Sequence, residues 1–348
     1  MLCATLSRPD FDDPTLPAAW DRLAAGRCSP FLRWSWAGCL ASPRHADPWL
    51  LTVYDTGVSA AAGAVVGAAV GLALLGRTRS ALGTTYHLND TGDAAQDALF
   101  VEHNGIVSAP GREAEMLAAL FGAARGRVVL SGVDDVWLAA AGHVGGLVTP
   151  LQSRMAPYVR LKAPDALSRN TRAQLARSDR SYGAPAVERA ATVAEALAFL
   201  EAMLPLHYAT WRARGVASGL AGAPMQAFLR ELLRRGVPCG DVEMLRVSAG
   251  PRMLGYLLNL RADGRVAAYA SGFDYAGAGP HEKPGLSCHA AAIAQARRDG
   301  ALEYDFLAGD ARYKRSLAND TRALHWLTWQ PALSRFGVAA TVQRIMGR

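Results

Sequence analysis

Apolar residues recur along this chain with two spacings, and the switches between them mark its elements. In the first half, helical spacing covers 15–25 and, after the start signal Ser29-Pro30, 31–40, where Phe31, Trp34 and Trp36 supply packing groups. Strands are predicted near 49–54 and 64–76, with Asp55-Thr56-Gly57 as the turn after the first. Residues 86–93 read as a polar loop, and 99–105 as a short strand ending in an Asn-Gly turn. A helix over 113–124 and a strand-then-helix unit through 128–130 and 139–141 close this half. Alternating strands and helices predict an α/β fold.

The second half starts helical and then changes period. Residues 155–161 read as a crossover. Helices are predicted from 164–165 to about 182, from 193 to about 214 with Gly215 as its stop, and over 228–235. Period-two runs follow at 242–247, 254–261 and 265–273, the last two joined by the hairpin turn Ala262-Asp263-Gly264. A helix at 286–298 and a buried strand at 304–307 complete the order: helices, three-stranded meander, helix, strand. The predicted division is 1–155, 156–330, and a C-terminal helix in 331–348.

Composition narrows the class. At about 150 residues per domain, 348 residues make roughly two. An apolar fraction of 51% with 19% charged residues excludes a mainly disordered chain. The net charge of +7 is unevenly placed: 1–155 carries −3 and 156–348 carries +10. The three lysines are Lys162, Lys283 and Lys314, so each stands out in a chain that otherwise uses arginine. Five scattered cysteines without a CxxC pair predict no metal site and suit a reducing, cytoplasmic setting. The N-terminus shows no secretory pattern. Residues 58–76 are uncharged and carry GxxxG spacing. Their alanine and glycine content and the preceding turn signal favour a loop feeding a buried strand over a membrane span. The amphipathic tail, with Leu333, Phe336, Val342 and Ile345, can dock on the core or touch an inner-membrane surface.

Several motifs fall in a family order. Ser168-Arg169-Asn170-Thr171-Arg172 is followed by His207-x-x-x-Trp211-x-x-x-Gly215. Tyr269–Asp274 ends a central strand, and Pro284-Gly285-Leu286 opens a helix. Tyr304-Asp305-Phe306-Leu307-x-Gly309-Asp310-x-x-Tyr313-Lys314 then follows. Together these resemble the GNAT acyltransferase superfamily in its CelD-like, FemAB-related branch (a BioF2-like acetyltransferase domain), over about 155–330. Ser29-Pro30-Phe31 and the tryptophan-rich segment after it resemble the start of the same family's N-terminal half. The resemblance implies two GNAT-like halves, each a mixed, mostly antiparallel sheet flanked by helices, with an active cleft between them. It implies acyl transfer to an amine. Ordinary GNAT enzymes place the acyl-CoA pyrophosphate on an Arg/Gln-x-x-Gly-x-Gly/Ala loop. Here 282–289 reads Glu-Lys-Pro-Gly-Leu-Ser-Cys-His, which keeps Gly285 and a free helix start but not the full loop.

Candidate chemistry follows. Amine attack on a thioester needs a proton acceptor and donors for the oxyanion. Catalytic candidates are Lys314, Asp310, Tyr313 and His207, with Asp310 as turn former or partner of Lys314. For the donor, Tyr269 and Ser271 lie where a bulge or splayed strand pair would expose backbone amides. Gly285, Leu286 and Ser287 form the helix N-terminus that attracts anions. Glu102, Asn104, Trp211, Phe273 and Asp305 are candidates for the acceptor. The arginines of 169–180 can meet a phosphate or RNA, or form a solvated helix face. Cys288 beside His289 reads as core. The expected reaction is direct N-acyl transfer from a thioester, acyl-CoA as co-substrate, to an amine of a sugar, amino acid or peptide-like metabolite, with no permanently bound cofactor. Envelope polysaccharide work is the setting that the family suggests. The alternatives are an aminoacyl-tRNA-dependent transferase and a non-catalytic module that binds a nucleotide or joins a polysaccharide complex.

Overall fold

The capped helices and period-two strands of the sequence assemble into two compact units, 1–154 with 323–348 and 155–322. The computed structural model describes residues 2–40, 47–55, 68–94, 96–97, 101–164 and 167–346. In chain order the elements begin β1 (Leu2–Ser7), α1 (Thr15–Ala24), a short 3-10 turn (Pro30–Leu32) and α2 (Trp34–Leu40). Next come β2 (Pro48–Asp55), β3 (Ala69–Ser80), β4 (Gly83–Leu88), β5 (Val107–Ser108), α3 (Glu113–Ala124), β6 (Arg127–Val133) and α4 (Asp135–His143). Then follow β7 (Leu147–Arg160), α5 (Arg169–Tyr182), β8 (Ala186–Arg189), α6 (Val193–Ala213), α7 (Ala223–Cys239), β9 (Val242–Ala249), β10 (Arg252–Ala262) and β11 (Arg265–Phe273). The chain ends with α8 (Pro284–Arg298), β12 (Glu303–Asp305), α9 (Arg312–Leu317), β13 (Asp320–Gln330) and α10 (Arg335–Met346).

The first unit is a sheet ordered β1-β2-β3-β4-β6-β13, antiparallel throughout except for the parallel pair β4/β6. Its core joins Leu51, Leu75, Met116, Leu120 and Leu130 to Leu327 and Trp329 of the last strand. Trp329 stacks on Phe121 with ring centroids 3.9 Å apart. The second unit is ordered β8-β9-β10-β11-β12-β7, again with one parallel pair, β11/β12. Both units are thus mixed, mostly antiparallel sheets flanked by helices, and both run strand, two helices, three-strand meander, helix, strand.

Local chemistry explains the boundaries. Ser168 caps α5 by accepting the Thr171 N–H, and Thr192 caps α6 by accepting the Glu195 N–H while Glu195 reaches back to Ala191. The helix predicted from 164–165 therefore starts at Arg169. Residues 86–88, read as loop, complete β4, where His87 meets Thr78 and Leu88 is fully buried. In the predicted strand at 99–105, only 101–105 is described, and it is irregular. The crossover at 155–161 is strand through Arg160. The 304–307 strand ends at Asp305, because Leu307 takes φ 60°. The sequence division at 330/331 also moves: 323–330 belongs to the first unit. Of the apolar segment 58–76, residues 56–67 lie outside the described residues, and β3 begins at Ala69. Among the described residues, no helix is long and apolar enough to cross a membrane. The tail helix docks on the first unit, where Arg127 lies over the Phe336 ring at 4.6 Å.

Candidate functional site

The feature that organises the second unit is an incomplete strand pair. β11 and β12 pair only through Arg265, Val266 and Ala267, opposite Glu303, Tyr304 and Asp305. Beyond Ala267, β11 continues alone on that side. A register shift against β10 leaves Tyr269 as an extra residue, since Leu258 opposes Ala270 while Asn259 opposes Ala268. The Ser271 carbonyl accepts from His207 Nδ1 at 2.7 Å and not from β10. In a strand, a residue's N–H and C=O point the same way, so the Ser271 N–H also faces the edge that β12 leaves uncovered. A splayed pair with a bulge near Tyr269–Gly272 is what the sequence had suggested as a source of oxyanion donors.

Gly272 makes this edge accessible to α6. A Cβ there would lie 2.4 Å from the Met203 carbonyl oxygen, so only glycine allows the helix backbone to approach so closely. His207 and Trp211 ride on that helix, with ring centroids 5.9 Å apart. A carbonyl can only accept, so His207 carries its proton on Nδ1, and Nε2 accepts from the Ser218 hydroxyl at 2.9 Å. Burial holds the imidazole below its ordinary pKa, keeping it neutral.

A cavity of about 640 Å³ lies at the start of α8. Arg177 of α5, Lys283 before α8 and Arg312 of α9 line it, and among the described residues lining it none is acidic. Gly285 and Leu286 contribute the first turn of α8, whose N–H groups have no partner within the helix. Asn170, Gln174, Tyr275, His281 and Tyr313 also line it. Gly285 fits because a Cβ would lie 2.4 Å from the Tyr275 hydroxyl and 3.0 Å from the Phe273 ring. Three cations and a helix N-terminus around one cavity make it a receptor for an anion.

Aromatic residues back the cavity. Tyr313 stacks on buried His289 at 4.9 Å, and Phe273 and Phe306 meet the same imidazole edge-on. Burial pushes the Tyr313 phenol up to about 12, so it stays protonated and can donate. Burial, with Lys314 nearby, pushes His289 down to about 3. Cys288 is core, its thiol pushed up by burial and inert as a nucleophile.

The sequence-predicted residues separate into groups. Gly285, Leu286 and Tyr313 meet at the cavity, with Phe273 behind Gly285. Tyr269, Ser271, His207 and Trp211 gather at the free edge of β11. Ser287 is turned inward, accepting from the Tyr182 hydroxyl. Lys314 Nζ donates to the Leu307 and Ala308 carbonyls at 3.0 and 2.8 Å, fastening the turn after β12. Asp305 accepts the Leu307 N–H within the same turn. Asp310 is 89% exposed and pairs with Arg315, not with Lys314. Glu102 and Asn104 lie buried in the first unit. Asn104 donates to the Leu88 carbonyl, accepts from Asn89, and its backbone N–H bonds Gly132. Sequence reasoning missed Lys283, Arg312, Tyr275 and Ser218. The scarcity of lysine pointed to Lys283, whereas the others come together only through the fold.

Comparisons with known proteins bear on the fold and the enzyme class. Residues 169–315 match the family model described as an acetyltransferase (GNAT) domain. This stretch of the chain thus carries a GNAT domain, and the enzyme class is acyltransferase. No curated protein matches the sequence. Three solved structures share the fold over nearly the whole chain. FemX is 11% identical, with a TM-score of 0.59 and 99% of this chain and 100% of that one covered. A conserved protein of unknown function from Bacteroides thetaiotaomicron is 9% identical, with a TM-score of 0.56 and coverage of 93% and 99%. The C-terminal domain of a candidate lysylphosphatidylglycerol synthetase from Agrobacterium fabrum is 11% identical, with a TM-score of 0.54 and coverage of 94% and 96%.

Proposed function

We propose that this acyltransferase moves an acyl group from acyl-CoA to the amine of a sugar, amino acid or peptide-like metabolite. One observation carries the reading: the cationic cavity at the α8 N-terminus lies in the same unit as the free, bulged edge of β11. The cavity suits the donor's phosphates, and the Ser271 N–H suits the thioester carbonyl as it gains charge. The amine nitrogen forms the new bond to the carbonyl carbon, and the carbon–sulfur bond breaks. Its proton passes to Ser218 Oγ as the Ser218 proton moves to His207 Nε2. Tyr313 returns a proton to the departing thiolate. Lys314 and Asp305 position Tyr313 through the turn before α9. No covalent enzyme intermediate is needed, which fits the inert Cys288.

The second reading is an aminoacyl-tRNA donor. The exposed arginines of α5 (Arg169, Arg172, Arg177 and Arg180) favour it, because they extend a basic row along one helix. Thermal shift separates the two. Free CoA should raise the melting temperature and tRNA should not. A rise with tRNA and none with CoA overturns the acyl-CoA reading. Binding of CoA without turnover of any thioester would instead mark a sensor.

A further inference from the structure

The segment between β11 and α8, residues 274–283, lacks the glycine-rich phosphate signature, yet it borders the cavity through Tyr275, His281 and Lys283. An acid holds its shape. Glu282 is buried, at 8% exposure. Its Oε1 accepts from Ser181 Oγ at 2.8 Å and from Arg252 Nη1 at 2.9 Å. Its Oε2 accepts the Gly279 N–H at 2.7 Å and meets Arg252 Nη2 at 2.8 Å. Arg252 also donates to the Gly277 carbonyl at 2.5 Å. Beside it, the Lys283 N–H donates to Ser178 Oγ at 3.0 Å. The loop is therefore fastened to α5 at Ser178 and Ser181 and to β10 at Arg252. These partners, Arg252 foremost, hold the Glu282 carboxyl down at about 2.

A carboxylate beside an anion site would normally repel the ligand. Here Arg252 neutralises it, and both oxygens are already occupied, by Ser181, Arg252 and the Gly279 N–H. The next residues along the chain are Lys283, Pro284, Gly285 and Leu286, which present an ammonium and the open first turn of α8. We propose that Glu282 is a positioning residue for the phosphate-bearing part of the donor. Together with Arg252 and Ser181 it does what backbone glycines do in a phosphate loop, fixing the approach to the α8 N-terminus. The inference rests on the acyl-CoA reading.

The test compares two donors that carry the same acyl group, acyl-CoA and acyl-pantetheine, the second lacking the nucleotide phosphates. In Glu282→Ala and Glu282→Gln, KM for acyl-CoA should rise about tenfold, as expected for loss of charge-assisted hydrogen bonds. The kcat, and the KM for acyl-pantetheine, should stay at wild-type values. Arg252→Gln should reproduce the pattern, and Ser181→Ala should show it weakly, which keeps the test decisive if the Glu282 variants do not fold. An unchanged KM for acyl-CoA in a folded variant overturns the proposal. So does an equal rise for both donors, or a fall in kcat, either of which marks a general structural role. If the wild-type protein itself does not favour acyl-CoA over acyl-pantetheine, the donor reading fails first and takes this inference with it.

Discussion

The two units share an element order but treat the same weak point differently. In each, one parallel pair is short: β4 and β6 pair through three residues, as do β11 and β12. In the first unit the gap that follows is plugged. Asn104 donates to the Leu88 carbonyl just past the end of the pairing, and its backbone N–H bonds Gly132 at the far end of β6. Asn89 closes the plug by donating to the Asn104 side chain and to the Gly105 carbonyl. In the second unit, no such plug meets the corresponding edge of β11 among the described residues; a histidine takes one carbonyl, and the cationic cavity lies at the start of the next helix. One architecture is thus sealed by an amide in one unit and left available in the other. The proposed chemistry uses the available one.

The largest expected effect tests that assignment. Tyr313→Phe should lower kcat by about 100-fold or more, while the Kd for free CoA stays within about twofold, because the lost group acts on the leaving thiolate. An unchanged kcat would remove Tyr313 from the chemistry. His207→Gln should cost about 10- to 100-fold in kcat. In the wild-type protein, the base must be neutral to act, and burial lowers its pKa. The acid limb of the kcat–pH profile should therefore lie below the ordinary 6.5 of histidine. A limb above that value would contradict the assignment. Lys283→Met and Arg312→Met should each weaken CoA binding about tenfold at low salt, less at high salt, measured by calorimetry.

Two smaller effects sharpen the contrast. Asn104→Ala should destabilise the protein by about 1–3 kcal/mol, since it strands buried partners, yet leave kcat unchanged. A tenfold loss of kcat in a stable protein would show that the plug reaches the chemistry. The units should also differ in their response to pH. His289, held down at about 3 by burial, stays neutral in the folded state while an unfolded chain protonates it below 6.5. Stability should fall as pH drops through that window, by up to about 1.4 kcal/mol per unit. Asp90 in the first unit is the reverse. Burial and the nearby Asp97 raise its carboxyl from 3.8 to about 8. The folded state keeps this proton as the unfolded state loses it, so stability should fall as pH rises from about 4 towards 8. Calorimetry of His289→Phe and Asp90→Asn should flatten the acid and alkaline slopes respectively. If either slope persists, another group is responsible.

The sequence displayed much of this. Helix starts at Glu113 and Val193 are legible because a cap or a first-turn acid and a 3.6-residue stripe coincide there, while the helix from Thr15 shows only the stripe. The meander is legible because Val242–Phe273 alternates around a strong turn. β8 is too short to show a period and β1 has no flanking turn signal, whereas β12, shorter still, was legible as the buried strand at 304–307. In the candidate site, Gly285 was legible because it opens a helix after a proline, whereas Lys283, although one of three lysines, was not singled out. Ser218 was not legible, because its link to His207 is made across a loop. Asp310 misled because a Gly-Asp turn beside a lysine suggests a pair, while the exposed carboxylate finds Arg315 one turn further on.

β13 has a consequence for the order of events as the protein is made. Val128–Val133 finds its antiparallel neighbour in residues 325–329, and that strand also brings Leu327 and Trp329 into the first unit's interior. The second unit is one continuous stretch of chain, 155–322. A ribosome adds residues from the N-terminus at about 5–20 per second. The half synthesised first is therefore completed last, and for some 190 residues of elongation it holds a bare strand edge that invites wrong pairings.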